Sequence, residues 1–575
     1  MLQPAAMRTQ SKPGQVASPC RSRLDKDTLL RVEPLVFAAP DPVYPPLVMP
    51  ARTGKHYVDS LKALKPVVYL QGRRVKSVVD EPAFQGPIQA IAELYDLQHD
   101  PRYRDFMLYP SPTNSHPVHV GFQIPRSRQE LINKRKAFKL RTDHNFGFMG
   151  RSMDFMNSMV TGWYLNRAKF DKRGARFGDN AVRYYEHVRE HDLFLTHVLI
   201  NPQIDRSRTS AGQEEPFLHL GKVRETEEGM VVRGAKMLGT MAPITEELVC
   251  FPWGGGIAEG DDAYAVGFAI PNDTPGLKYI CREPLGASPD SRFDHPLSSR
   301  FEEMDCIAVF DDVLVPWDRV VIDGGPGARE VANDPALSGV ATGIQTAARM
   351  LSQMEFFCGL ALKLADTIAI TGFLHIQEKL GEMLSNLEVA RAVFYGSEAM
   401  AVEGPDGAWG SASLGPRGFH LQTMRIYRRF VEIVQILAAG GFFYAPTQAD
   451  FDNPEERPYI DRYVRGKAGV SAEERVALFK LAWDVTGSAF AQRVAQYVTF
   501  YSGDPVRLTA AFFVGYDKEP LTDIVDRALG KTGDLDIPVS PDEPGRPVAR
   551  RSPATGVAAQ YPEATQPRPV SRPDA

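Results

Sequence analysis

The hydrophobic period of this chain changes twice, and each change marks a boundary that one continuous core does not cross. Between residues 54 and 200 apolar side chains recur at three to four, as at Tyr57, Leu61 and Leu64, and the stretches 154–165 and 180–199 are long and proline-free. That period predicts helices. From about 216 to 322 the pattern becomes short β-branched and aromatic runs, "MVVRGAK", "ELVCFP", "AYAVGFAIP", "LKYICRE" and "CIAVFDDVLVP", punctuated by Gly, Pro and Asp, which predicts a β sandwich or barrel. After Gly343 the helical period returns, with Leu380, Met383, Leu384, Leu387, Ala390 and Phe394 on one stripe and a capping-box spacing at Ser471 and Glu474.

The expected fold is therefore α+β: an N-terminal helical domain over 49–200, a central β domain over 201–325 and a C-terminal helical bundle over 326–540. A length of 575 residues demands several cores, since one core stops growing at roughly 250–300 residues. Residues 1–48 and 541–575 carry eight prolines each and no amphipathic period, so a disordered leader and a disordered Pro/Arg-rich tail are expected there.

Charge and composition narrow the function. The 66 Lys+Arg are outweighed by 71 Asp+Glu, which leaves no electrostatic footprint for nucleic acid or an anionic membrane. No run approaches the roughly 20 apolar residues that span a bilayer, and no secretory signal opens the chain. Five scattered cysteines without a C-x-x-C pair argue against structural zinc and for a reducing compartment, so a cytoplasmic protein without a bound metal is expected. The dinucleotide turn G-x-G-x-x-G, the Walker loop, H-E-x-x-H and G-x-S-x-G are all missing. A self-contained NAD(P)H site is unsupported, and the "WGGGIAEG" run from Trp253 reads as a flexible loop over a pocket.

Two stretches carry chemistry. In "NFGFMGRSMDFMNSMVTGWY", Ser152 is a good N-cap, so Arg151 stands beside the positive end of a helix, where a guanidinium and the dipole together favour an oxyanion. A surface arginine paired with a carboxylate is the plainer alternative. In "LTHVLINPQIDRSR", a lone His197 lies in an apolar run ahead of the polar cluster Gln203, Asp205 and Arg206. A core histidine with satisfied hydrogen bonds fits that position equally.

Taken in order, "MPARTGKHYVDSLK", "MGRSMDFMNS", "THVLINPQIDR", "VVRGAKMLGTMAP", "FDHPLSSRFEEMDCIAVFDDVLVPWDRV" and "GDPVR" resemble the signature blocks of the oxygenase component of 4-hydroxyphenylacetate 3-monooxygenases, from Met49 to about Leu535. The resemblance implies an acyl-CoA dehydrogenase-like fold, a homotetramer, and a two-component flavin monooxygenase fed with FADH2 by a separate NAD(P)H:flavin reductase. It implies that reduced FAD and O2 form a C4a-hydroperoxide whose distal oxygen goes to the carbon ortho to a phenol hydroxyl, with the protein supplying orientation and electrostatics. Arg151 and His197 match the family's phenol-binding pair, expected to stabilise the ionised phenol and to show the imidazole titration in the pH profile. Gln203, Ile204, Asp205, Arg206, Thr240, Arg282 and the turn Asp504, Pro505, Val506 and Arg507 match its flavin contacts, the arginines suiting a pyrophosphate.

The departures shape the expected substrate. Phe155 replaces a tyrosine one helical turn after Arg151, which removes a hydroxyl from the substrate's oxygen. Trp253 and Gly254 replace small hydroxyl residues that face the substrate's acid end, and "GVATGIQ" at 339–345 lacks a histidine found in relatives. The expectation is an aromatic, phenolic substrate other than plain 4-hydroxyphenylacetate, free or tethered to a carrier protein. Two alternatives stand beside it: a same-fold acyl-CoA dehydrogenase or dehydratase, the latter disfavoured because 130–165 holds no cysteine for an iron–sulfur cluster, and a non-catalytic binding protein.

Overall fold

The computed structural model describes residues 51–252, 256–286, 292–334, 342–404, 407–410 and 414–531, all within the unit that begins at Met49. The expected leader 1–48, the tail 541–575 and the Trp253–Gly254 pair lie outside the described residues, as do 339–341 of the "GVATGIQ" stretch.

Helices dominate the N-terminal part where caps and period predicted them: Gly54–Ala63, Pro82–Asp96, Arg128–His144, Met153–Leu165 and Ala175–His191. Thr53 closes a capping box with His56, and Ser127 accepts from the Glu130 amide, so orphan donors at two helix starts are satisfied by side chains. The reading of 49–200 as helical needs correction at three places: Leu108–Pro110 pairs with Pro117–His119, Leu195–Val198 is a strand at the end of the expected helical stretch 180–199, and a hairpin lies near the start. Val67–Leu70 and Arg73–Arg74 form a hairpin that adds two strands to the central sheet. The physical reason lies in the sequence: Val67, Val68 and Tyr69 favour strand, and Gln71 and Gly72, at φ of 49° and 77°, make the positive-φ two-residue turn that matches strand twist.

The β part is two sheets. In space the larger runs Arg73–Arg74, Val67–Leu70, Leu277–Cys281, Cys306–Pro316, Gly229–Lys236, Gly221–Glu225, and the smaller Val320–Asp323, Val266–Pro271, Glu247–Cys250, Leu195–Val198. The Phe268 ring, from the smaller sheet, meets Phe310 of the larger edge to face at 5.9 Å, so the two inner faces share a core as the sandwich reading requires. Every residue of Leu195–Val198 and Glu247–Cys250 is buried, and the two strands pair in parallel with His197 opposite Val249.

Beyond the sheets, long helices at Gly343–Thr367, Leu374–Ala399, Leu414–Ala438, Ala472–Thr486 and Ala489–Phe500 pack into a bundle. Ser471 and Glu474 make the expected capping box. Of the expected stripe, Leu380, Met383, Leu387, Ala390 and Phe394 are buried, but Leu384 is 40% exposed, because an i+4 neighbour of Leu380 that is also i+1 to Met383 falls at the stripe's edge.

Buried charge ties these parts together. Arg52 donates to Glu246 (2.7 Å) and to the Tyr95 hydroxyl (3.0 Å), while Glu246 also accepts from the amide of Phe194, the residue before the His197 strand. Beneath the Met153–Leu165 helix, Arg141 donates to Asp154 at 2.7 Å with both side chains fully buried. His119 stands 3.7 Å from the same carboxylate, and its Nδ1 accepts from the Gly121 amide. Burial, aided by Arg141 and Lys134, holds the His119 imidazole far below its usual range, so it stays neutral. This cluster fixes the first turn of the helix that follows Arg151. Arg141→Met should leave Asp154 buried without its cation and cost about 3–5 kcal/mol in a urea melt, and Arg141→Met with Asp154→Leu should recover most of that loss.

Candidate active site

Arg151 precedes the Met153–Leu165 helix, and Phe155 lies one turn into it, so the two side chains share a face. The Arg151 guanidinium carbon sits 4.0 Å from the centre of the Phe155 ring and 5.4 Å from that of Tyr497. Its Nη2 donates to the Tyr501 carbonyl at 3.3 Å, and its buried Nη1 has no partner. No carboxylate pairs with this guanidinium among the described residues. The His197 ring lies 5.4 Å from that of Phe155, 5% exposed, with Nδ1 buried and unpartnered among the described residues. A cation and an imidazole thus both border one phenyl ring, each with a buried nitrogen that no described protein group answers.

The electrostatics differ from the sequence expectation in one respect. Burial, with the Arg151 charge in second place, pushes the His197 imidazole well below its ordinary value. It is neutral at physiological pH, and its titration does not fall in the neutral range.

Thr240 occupies a turn held under strain. Leu238 and Met241 both adopt φ of 62°, a region costly for side chains of their size, and the turn is pinned by Gly239 and Met241 amides donating to the carbonyls of Cys306 and Met304. Thr196, next to His197, donates its hydroxyl to the Thr240 carbonyl, which ties this turn to the His197 strand. The Thr240 hydroxyl donates to Asp305 at 2.8 Å, and Arg282 donates to the same carboxylate at 3.2 Å. Thr240 and Arg282 therefore meet through Asp305.

Gln203–Arg206 and Asp504–Arg507 stand apart: no hydrogen bond or ion pair among the described residues joins either segment to Arg151, His197 or Thr240. Ile204 is 53% and Val506 76% exposed, and Arg206 and Arg507 are exposed with no carboxylate partner among the described residues. Asp504 caps the Pro505–Gly515 helix by accepting from the Arg507 amide. Free guanidinium groups beside apolar surface fit a dinucleotide with a flat ring and a pyrophosphate, so the residues present fit FAD.

Residues 53–322 match the family described as 4-hydroxyphenylacetate 3-hydroxylase N terminal, and residues 338–530 match its C-terminal counterpart. The chain belongs to the 4-hydroxyphenylacetate 3-hydroxylase family. The oxygenase component of 4-hydroxyphenylacetate 3-monooxygenase from Thermus thermophilus is 39% identical over 473 residues, 82% of this chain and 95% of that one. A Streptomyces globisporus monooxygenase of a (3S)-3-amino-3-(3-chloro-4-hydroxyphenyl)propanoyl group on a peptidyl-carrier protein is 35% identical, covering 79% of this chain and 85% of its own. A crystal structure of a 4-hydroxyphenylacetate 3-monooxygenase oxygenase component with FAD and 4-hydroxyphenylacetate superposes at a TM-score of 0.78 with 38% identity, over 84% of this chain and 98% of that one. An archaeal 4-hydroxybutyryl-CoA dehydratase, at 0.75 and 23% identity over 85% and 96%, shares the fold. This member of the hydroxylase family is an FAD-dependent aromatic monooxygenase, an oxygenase component rather than a dehydrogenase or dehydratase.

Sequence reasoning did not single out Tyr497, Glu303, Asp305 or Arg493. Arg493, Tyr497 and Tyr501 recur every four residues, which marks one helix face, and "EEMD" at 302–305 places three acids in an otherwise apolar stretch. Those were the available signals. In an NMR titration the His197 ring resonances should stay those of neutral imidazole from pH 8 to pH 6, against the usual midpoint of about 6.5. Arg151→Met removes the smaller of the two causes, so the titration should move upward and still end below the ordinary value.

Proposed function

We propose that Arg151 and His197 bind the substrate as a phenol and favour its ionised form, and that hydroxylation occurs ortho to that oxygen. The observation that carries this reading is the pair of unpartnered buried nitrogens, Arg151 Nη1 and His197 Nδ1, on two residues that both border the Phe155 ring. When bound, reduced FAD with O2 supplies the electrophilic oxygen atom, the second oxygen leaving as water. The chain's residues do the rest. Neutral His197 takes a hydrogen bond or the proton from the phenol hydroxyl. Arg151, whose charge is met among the described residues by a carbonyl and two aromatic rings, stabilises the oxyanion as electron density moves into the ring. Phe155 stacks where relatives are expected to offer a hydroxyl, so substrate position here depends on ring packing rather than on a third hydrogen bond. Trp253 and Gly254 are assigned to the far end of the substrate, Gln203–Arg206, Thr240, Arg282 and Asp504–Arg507 to the flavin.

Reduced flavin comes from a separate reductase in this reading, since the sequence has no nicotinamide-binding turn. A homotetramer is supported by exposed apolar residues on the last two helices, including Phe513 at 65%, Val514 at 62%, Ile524 at 55% and Val525 at 57%. No helix among the described residues is long and apolar enough to cross a membrane, and four buried free cysteines support a cytoplasmic location.

Arg151→Ala should reduce product formed per flavin oxidised by about 10²–10³-fold while reduced-FAD binding persists, read as product against hydrogen peroxide released. Phe155→Tyr separates substrate classes. It should tighten a simple phenol by about 0.5–1.5 kcal/mol, and a substrate with carbon at that place should weaken by about 1–3 kcal/mol, because the new hydroxyl is then buried alone. Full coupling in the Arg151→Ala, His197→Ala double variant would reassign the site.

A further inference from the structure

One buried arginine from the bundle joins the two halves of the site. Arg493, on the Ala489–Phe500 helix, donates from Nε (2.9 Å) and Nη2 (2.8 Å) to the two oxygens of Asp305, and from Nη1 (2.6 Å) to Glu303. The other Glu303 oxygen accepts the Arg151 backbone amide at 2.7 Å. Asp305 in turn holds the Thr240 hydroxyl and Arg282. The guanidinium therefore stands between the residue assigned to the phenol and the residues assigned to the flavin, with one carboxylate on each arm.

The Tyr497 ring strengthens the connection. It lies one turn after Arg493, with the guanidinium carbon of Arg493 5.1 Å and that of Arg151 5.4 Å from its centre, and its hydroxyl sits where a side chain on Gly150 would clash at 2.1 Å. The backbone leading into Arg151 is thereby fixed from two directions by the same helix. Although burial opposes its charge, Asp305 is held down at about 2, because Arg493 and Arg282 both lie against it, so this carboxylate is ionised at working pH. A buried ion network of this kind gains little over apolar packing in stability. Its distinct property is geometric, since bidentate pairing fixes distance and orientation.

We infer that Arg493 is a positioning residue that sets the Arg151 backbone against the Thr240 hydroxyl, so that occupation of the flavin side alters affinity on the phenol side. The inference rests on the functional reading above. Coupling of this type is reciprocal and commonly changes affinity by about 5–150-fold.

The test is anaerobic equilibrium dialysis of the full chain with 4-ethylphenol, a probe with no acid end, with and without saturating reduced FAD. Wild type should bind the probe about tenfold differently in the two states. Arg493→Lys keeps the charge but cannot bridge both carboxylates, so the ratio should collapse towards one, with reduced-FAD affinity in the absence of the probe within about threefold of wild type. A folded Arg493→Lys protein that keeps the wild-type ratio overturns the inference, as does a wild type with no ratio at all. Should Arg493→Lys fail to fold, Glu303→Gln cuts only the phenol arm; it should lower the ratio at unchanged flavin affinity, and an unchanged ratio is again fatal. A wild type that binds neither ligand fails the functional reading instead, so the two failures are told apart.

Discussion

A guanidinium held out of water, with no carboxylate on its side chain among the described residues, is the constraint on which the proposed site depends. Arg151 is 7% exposed, and what its side chain receives is one carbonyl at 3.3 Å and two ring faces. A nearby acid would satisfy it and also cancel its field. Glu303 comes close, but spends itself on the backbone amide and on Arg493. In the reaction proposed above, the positive charge is left for an anion that develops on the substrate, and the cost of keeping it so is met by the packed elements around it. The same charge, after burial, helps keep His197 neutral.

The fold is the apparatus that holds this arrangement. Arg141 and Asp154 anchor the first helical turn after Arg151, Arg52 and Glu246 fix the entry to the His197 strand, and the bundle reaches in through Arg493 and Tyr497. Two of these anchors span long stretches of sequence: 188 residues separate Arg493 from Asp305, and 194 separate Arg52 from Glu246. The dehydratase that shares this fold illustrates that the scaffold alone does not set the reaction. Site residues do.

The helix–strand–helix order was legible because amphipathic period is local, and so was the capping box at Ser471; Ser152 stands at the expected N-cap position, but its hydroxyl makes no capping hydrogen bond. Arg151 with Phe155 followed from helical spacing, while His197 joined them only through resemblance, since no local rule brings residue 197 to residue 155. The Val67–Arg74 hairpin was missed because a four-residue β-branched run among helices has no period of its own, and its partner strand, Leu277–Cys281, lies some two hundred residues away. The Glu303–Arg493–Asp305 network was invisible for the same reason. Charges that pair across a fold look in sequence like any solvated charges. The neutral state of His197 was also beyond reach, because burial is a property of the folded chain.

The central claim is that this chain places one atom of dioxygen on a phenol ring. It is tested most directly by supplying the purified protein with reduced FAD and a panel of 4-substituted phenols under 18O2, then weighing the products. One 18O atom per product molecule, ortho to the original hydroxyl, is the predicted result. Oxygen drawn from water, or oxidation of every phenol offered without incorporation of label, would contradict it.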